Sequence, residues 1–306
     1  MGFINALPGA IAQGLIWGLM AIGLYISYKI LNIADLTVDG SICTGACVCA
    51  VLIINGVNIA LCLLLAFLAG ALAGAVTGLF HTVMGISPIL AGILTQLILW
   101  SLNLKILGQA NMTVSSRSHF VLVTSLNNPM AIVVGVLFCA VVIVSLYFFF
   151  YTELGFSIKS TGDNEDMSRA QGVNVNLNKV LGLAVSNGIV ALSGAMLAQY
   201  QGFADINMGR GAIVIGLAAI IIGLSVSLKI KPNFVVSLIG VVCGAITYYL
   251  VYTFVIWLEI DTDLLKMLSA IVVAIFLAVP YWRSKSRAFP KKEKTSSRDA
   301  GGEANA

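Results

Sequence analysis

Charge is scarce in this 306-residue chain: Asp, Glu, Lys and Arg make up 10% of it, while 59% is hydrophobic and the mean hydropathy is +1.00. Ordinary soluble domains carry about 25% charged residues, so a water-facing globular fold is excluded. Histidine is rarer still, with His81 and His119 isolated and far apart. The six cysteines sit in apolar stretches without a Cys-x-x-Cys pair, which argues for buried free thiols and against a metal or redox site. Gly-Lys never occurs, so there is no P-loop to cradle nucleotide phosphates, and His-Glu-x-x-His and Gly-x-Ser-x-Gly are missing too. These absences leave no catalytic constellation, and neither an enzyme nor a nucleic-acid-binding protein is expected.

What is present is a series of long apolar runs. A hydrocarbon core of roughly 30 Å needs about 20 helical residues. Runs near 7–28, 40–55, 57–80, 86–104, 129–151, 179–199, 212–228, 232–258 and 263–282 meet or approach that length. The expected fold is therefore an all-α polytopic transmembrane bundle of about eight to ten spans, with residues 1–282 as the membrane domain. The opening stretch lacks the basic start and small-residue cleavage pattern of a secretory signal, and reads as a retained first span. Residues 283–306 are basic and without apolar periodicity, a tail expected to be disordered along the anionic inner leaflet. With that tail cytoplasmic, thirteen of the seventeen Lys and Arg residues fall on the inner side, in keeping with the positive-inside rule. Gly70, Gly74 and Gly78 recur at four-residue spacing, which puts them on one helix face and predicts close helix packing.

Two stretches break the apolar pattern at membrane depth. "LNIADLTVDG" (31–40) holds Asn32, Asp35, Thr37 and Asp39, and "QGFADINMGRG" (201–211) holds Asp205 and Asn207. Offset by 170 residues, "ADLTVDG" and "ADINMGR" share Ala-Asp, an aliphatic, a polar and a further apolar residue. The two copies approach the membrane from opposite sides, as expected of an inverted repeat whose broken or re-entrant helices line a pathway. Gln96 and Asn187, polar residues inside spans, join these six as pathway candidates. The acids equally fit a role as helix caps, and a further alternative is an ion-coupled secondary transporter that uses Asp35 and Asp39 as ion sites.

A polar island, "STGDNEDMSRAQGVN" (160–174), separates two membrane-length runs. Ser160, Thr161 or Asp163 supplies an N-cap, acids at 163, 165 and 166 suit the positive end of the helix dipole, and Gly172 supplies a left-handed stop. The reading is one helix of about two and a half turns within the loop 152–178. Such a helix is too short to stand alone in water and must pack on something.

This region, "TELGFSIKSTGDNEDMSRAQGVNVNLNKV" with the Ser193-Gly194 pair beyond it, resembles the signature region of bacterial ABC-transporter permeases of the branched-chain amino acid and ribose importer family. "LNIADLTVDGSICTGA" is similar to that family's first motif, and "TGDNEDM" looks closest to the subgroup associated with tryptophan- or tyrosine-binding proteins. The resemblance implies a multi-pass protein of the bacterial plasma membrane with a cytoplasmic C-terminus, carrying a small solute such as an amino acid. It also implies cytoplasmic ATPase subunits that bind the ATP, an extracellular substrate-binding protein or lipoprotein, and a second permease chain, as a homodimer in the bilayer. The coupling role passes to Gly155, Lys159, Thr161, Gly162, Asp163, Asn164, Glu165, Met167, Ala170 and Gly172, expected on the surface that meets the ATPase. No cofactor or metal is expected on this chain itself.

Overall fold

The computed structural model describes residues 3–114, 120–227 and 233–257, with Met267, Ala274 and Ala278 singly beyond them. Apart from those three residues, the expected last span (263–282) lies outside the described residues, as do the basic tail and Lys229 and Lys231. The chain forms α1 (Phe3–Tyr25), which runs on as a π-helical turn (Ile26–Ile30), then α2 (Val38–Ile54), α3 (Ile59–Thr82) and α4 (Pro88–Leu107). Strand β1 (Asn111–Thr113) and α5 (Asn128–Phe150) follow, then α6 (Glu153–Asp163), α7 (Glu165–Ala170) and α8 (Val175–Gln201). Strand β2 (Phe203–Asp205), α9 (Ala212–Ser227) and α10 (Phe234–Trp257) complete the described fold.

Six helical stretches among the described residues are long and apolar enough to cross a membrane, while α2 and α9 are shorter. The expectation of full spans at 40–55 and 212–228 is corrected accordingly. At 17 and 16 residues, these helices reach only about 25 Å at 1.5 Å per residue. Their neighbours show where each begins. Ser41, Gly45 and Cys49 of α2 meet Asn187, Ala191 and Gln199 of α8 in that order, so the two helices run parallel. Asn187 lies twelve residues into α8, about 18 Å from its start, so α2 begins at membrane depth.

The bundle repeats itself with reversed direction. Helix α1 is antiparallel to α8, with Ile16 against Ser193 and Gly23 against Ser186. Helix α3 descends along α8, and α10 runs antiparallel along α1, with Gly14 against Ile246 and Gly18 against Val242. The unit α1, break, α2, α3 thus recurs as α8, break, α9, α10. Glycine permits the closest of these approaches: a Cβ on Gly70, Gly74 or Gly78 would run into Asn187, Leu183 or Val180 of α8. Lipid supplies no hydrophobic drive between helices, so such backbone-to-backbone packing is what holds them. The outer faces of α3, α4 and α5 carry exposed Leu64, Leu72, Leu97, Val133 and Leu137, as a lipid-facing surface requires.

Candidate functional site

The two broken segments are built alike. Each aspartate turns the chain by accepting a hydrogen bond from the backbone N–H two residues on: Thr37 N to Asp35 Oδ1 at 2.9 Å, and Asn207 N to Asp205 Oδ1 at 2.6 Å. Each turn precedes a short apolar helix, and the two helices start beside one another. Asp39, in the first turn of α2, accepts from Gly211 N at 3.0 Å and from Ile213 N at 2.9 Å, so it caps α9 from across the break. Helices α2 and α9 then run apart in opposite directions, their positive ends together with one carboxylate between them. Asp205 also closes the far end of the bundle, where β2 pairs antiparallel with β1 in the register Asn111 to Asp205.

Asp35 is 1% exposed and fully engaged. Its second oxygen accepts from Asn187 Nδ2 at 2.6 Å, and Asn187 Oδ1 accepts from Ser41 Oγ at 2.7 Å. Next to it, the Thr37 and Thr77 hydroxyls are 2.7 Å apart, and Thr77 reaches Thr95 at 2.9 Å. This buried network ties α2, α3, α4 and α8 to the break, and satisfied polar groups of this kind fix one arrangement at depth. Asn32 is exposed with a positive φ of 57°, a turn residue. Of the pathway candidates, Asp39 and Gln96 line a common cavity between α2, α4 and the 206–210 turn, whereas Asn32, Asp35, Thr37, Asn187, Asp205 and Asn207 do not. Each oxygen of Asp35 and of Asp39 accepts one hydrogen bond from a protein donor. Among the described residues no cluster of three or more His, Cys, Asp or Glu is arranged for a metal.

The island is two helices, which corrects the expected single one. Helix α6 starts earlier, at the Thr152 cap, whose side chain accepts from Gly155 N at 3.3 Å. Ser160 and Thr161 are not caps: both hydroxyls donate back to the Ser157 carbonyl inside α6. Asn164 adopts an extended backbone, breaks the run, and caps α7 through Met167 N at 3.0 Å. Gly172, at φ 81°, ends the island as expected. Lys159, Asp163, Asn164, Glu165, Met167, Ala170 and Gly172 are exposed. Gly155, Thr161 and Gly162, expected on the outer surface with them, face the bundle instead. Gly155 lies against Phe149 and Phe150, Thr161 accepts from Asn178 Nδ2 at 3.0 Å, and Gly162 sits on the carbonyl of Ile30, the last residue of the π-helical turn. Within α6, Phe156 is exposed and Ile158 is fully buried.

Two features of this end were not read from the sequence. Lys179 is 8% exposed, pairs with Glu165 at 2.6 Å and donates to His81 Nε2 at 3.5 Å, so one buried cation joins α7, α8 and α3. Leu154 and Leu177, like Phe156 and Met167, are exposed apolar side chains of α6, α7 and the start of α8. Neither has a local signal, because their neighbours come from distant segments.

A bundle of opposed, broken membrane helices with a structured loop pair at one end defines a multi-pass membrane transport protein. The sequence pattern described as "Branched-chain amino acid transport system / permease component" matches residues 7–279, and the chain belongs to this family. It is 37% identical over 275 residues to the tyrosine transport system permease protein of Clostridioides difficile (strain R20291), covering 90% of this chain and 91% of that protein. It is 35% identical over 277 residues to the uncharacterized protein RP368 of Rickettsia prowazekii (strain Madrid E), covering 90% and 98%. No solved structure matches. The chain is a permease component of an amino acid transport system, a family of transporter subunits rather than enzymes.

Proposed function

We propose that this chain is the membrane subunit of an ABC importer for an aromatic amino acid, moved by ATP that separate subunits hydrolyse on the face of α6 and α7. The observation that carries the reading is the seating of Gly162 on the Ile30 carbonyl. It joins an exposed, capped helix pair to the π-helical turn that leads into the Asp35 break. Pressure on α6 is therefore pressure on the break, and α2 with its network moves with it. Single π-helical turns often mark such functional positions. The tyrosine transport relative supports the solute class, and the thirteen-to-four charge bias supports a cytoplasmic α6–α7 pair and C-terminus. A second copy of the chain and an extracellular binding protein complete the assembly.

The test uses the chain co-expressed with its ATPase. Met167→Asp, which places a charge on the exposed apolar face, and Glu165→Lys, which opposes Lys179 and His81, are expected to abolish ATPase co-purification. Gly162→Ala, with a methyl driven into the Ile30 carbonyl, is expected to keep the ATPase bound but lose ATP-driven uptake of labelled L-tyrosine. Normal uptake in all three variants would remove the coupling assignment, and uptake driven by an ion gradient without ATP would replace it with a secondary transporter.

A further inference from the structure

Among the described residues, the buried side-chain polar atoms left without a hydrogen bond belong to a single residue. Asn103 of α4 is 0% exposed, and neither its Nδ2 nor its Oδ1 has a hydrogen-bond partner. A buried amide stripped of partners is costly, and native proteins rarely leave one so. Asn103 lines the cavity of about 320 Å³ between α2, α4 and the turn before α9, beside Asp39, Gln96, Trp100, Ile206 and Arg210. That volume is at the small end for ligand sites, which start at about 300 Å³. It suits a single small molecule and excludes a peptide.

The lining reads as a complement to a zwitterion with a flat side chain. Arg210 is exposed and forms no ion pair with a carboxylate among the described residues. Its planar fork of donors matches a carboxylate. Asp39 lends negative potential to the opposite wall, but its oxygens already accept from Gly211 and Ile213. The amide oxygens of Asn103 and Gln96 are then the acceptors available to an ammonium group. Trp100, 42% exposed, offers an aromatic face along the same wall.

We propose that this cavity is a transit site for a free aromatic amino acid, with Arg210 on its carboxylate, the Asn103 and Gln96 amides on its ammonium, and Trp100 flanking its ring. The site rests on the amino acid permease reading given above, and it assigns to Asn103, Trp100 and Arg210 a role that Asp35, which does not line the cavity, does not have. The solute completes the hydrogen bonds of Asn103 while it passes.

The full chain in nanodiscs, titrated with tritiated L-tyrosine, tests the assignment. Saturable binding is expected, weakened at least tenfold in Arg210→Gln and in Asn103→Leu, and several-fold in Trp100→Ala with recovery in Trp100→Phe. Competition adds a readout that misfolding does not mimic. Tyramine, which lacks the carboxylate, is expected to compete at least tenfold less well than unlabelled L-tyrosine on the wild type, and this discrimination is expected to vanish in Arg210→Gln. Absence of saturable binding to the wild type overturns the site and leaves Asn103 solvated by water alone. Equal binding by wild type and variants overturns it as well. ATP-driven tyrosine uptake by the wild type assembled with its ATPase, measured in parallel, separates these failures from failure of the permease reading.

Discussion

At the scale of single residues, Asn187 carries more of the fold than its type suggests. It donates to Asp35 and to the Leu183 carbonyl and accepts from Ser41, so its one amide is fully used across three segments. Hydrogen bonds to charged groups contribute about 1.5–3 kcal/mol. Replacing the amide by an isosteric apolar group strands a buried carboxylate. Asn187→Leu is therefore expected to destabilise the bundle by about 2 kcal/mol, read as an earlier midpoint in a denaturing-detergent titration. Gln199→Leu is the contrast: its amide bonds the Cys49 thiol, the Ala195 carbonyl and the Leu122 N–H but no ionised group. Its cost is expected to be about 1 kcal/mol or less, as for neutral interhelical bonds in membranes. Equal midpoints for the two variants would show that the Asp35 contact contributes nothing beyond a neutral bond.

At the scale of elements, the island depends on two caps. Thr152 starts α6 and Asn164 starts α7, each through one side-chain oxygen. Removing a cap costs about 1 kcal/mol. Since α7 has 6 residues, that cost is large beside what so short a helix can supply on its own. Asn164→Ala is expected to raise amide hydrogen exchange across 165–170 several-fold while leaving α8 protected. Thr152→Ala is expected to do the same for the first turn of α6 only. The sequence showed that a helix belongs here, where it ends at Gly172, and that acids gather at its N-terminal side. It did not show the division, because Thr152, Ser160, Thr161, Asp163 and Asn164 are all competent caps and only the packed backbone selects among them. Gly162 is similar: a glycine in a polar loop reads as surface until Ile30 is seen against it. The breaks at 31–37 and 201–211 were legible from aspartates at membrane depth. The capping of α9 by Asp39, 172 residues away from Gly211, was not, since it depends on how two distant segments meet.

At the scale of the whole molecule, the reversed repeat sets the order of events. The described fold carries α6 and α7 at one end and the β1–β2 pair at the other, with the opposed starts of α2 and α9 between them. In the coupling proposed above, a push at the first end would reach the centre through Gly162 and Ile30 and cross to α9 through Asp39. This scheme requires the two ends to lie on opposite sides of the membrane, with the α6–α7 end cytoplasmic. Met167 at that end is 60% exposed, and Leu126, whose neighbour Ser125 bonds the Tyr200 carbonyl near the other end, is 78% exposed. Cysteine placed at either position should react with an impermeant thiol reagent, once the exposed Cys243 is changed to serine. Met167→Cys is expected to label only in inside-out vesicles, and Leu126→Cys only in intact spheroplasts. The five other native cysteines are buried and should give a low background in both. Labelling of both sites from the same side would contradict the span order of α5 and with it the transmission path. Labelling from opposite sides in the reverse sense would keep the fold but place the α6–α7 face out of reach of any cytoplasmic ATPase.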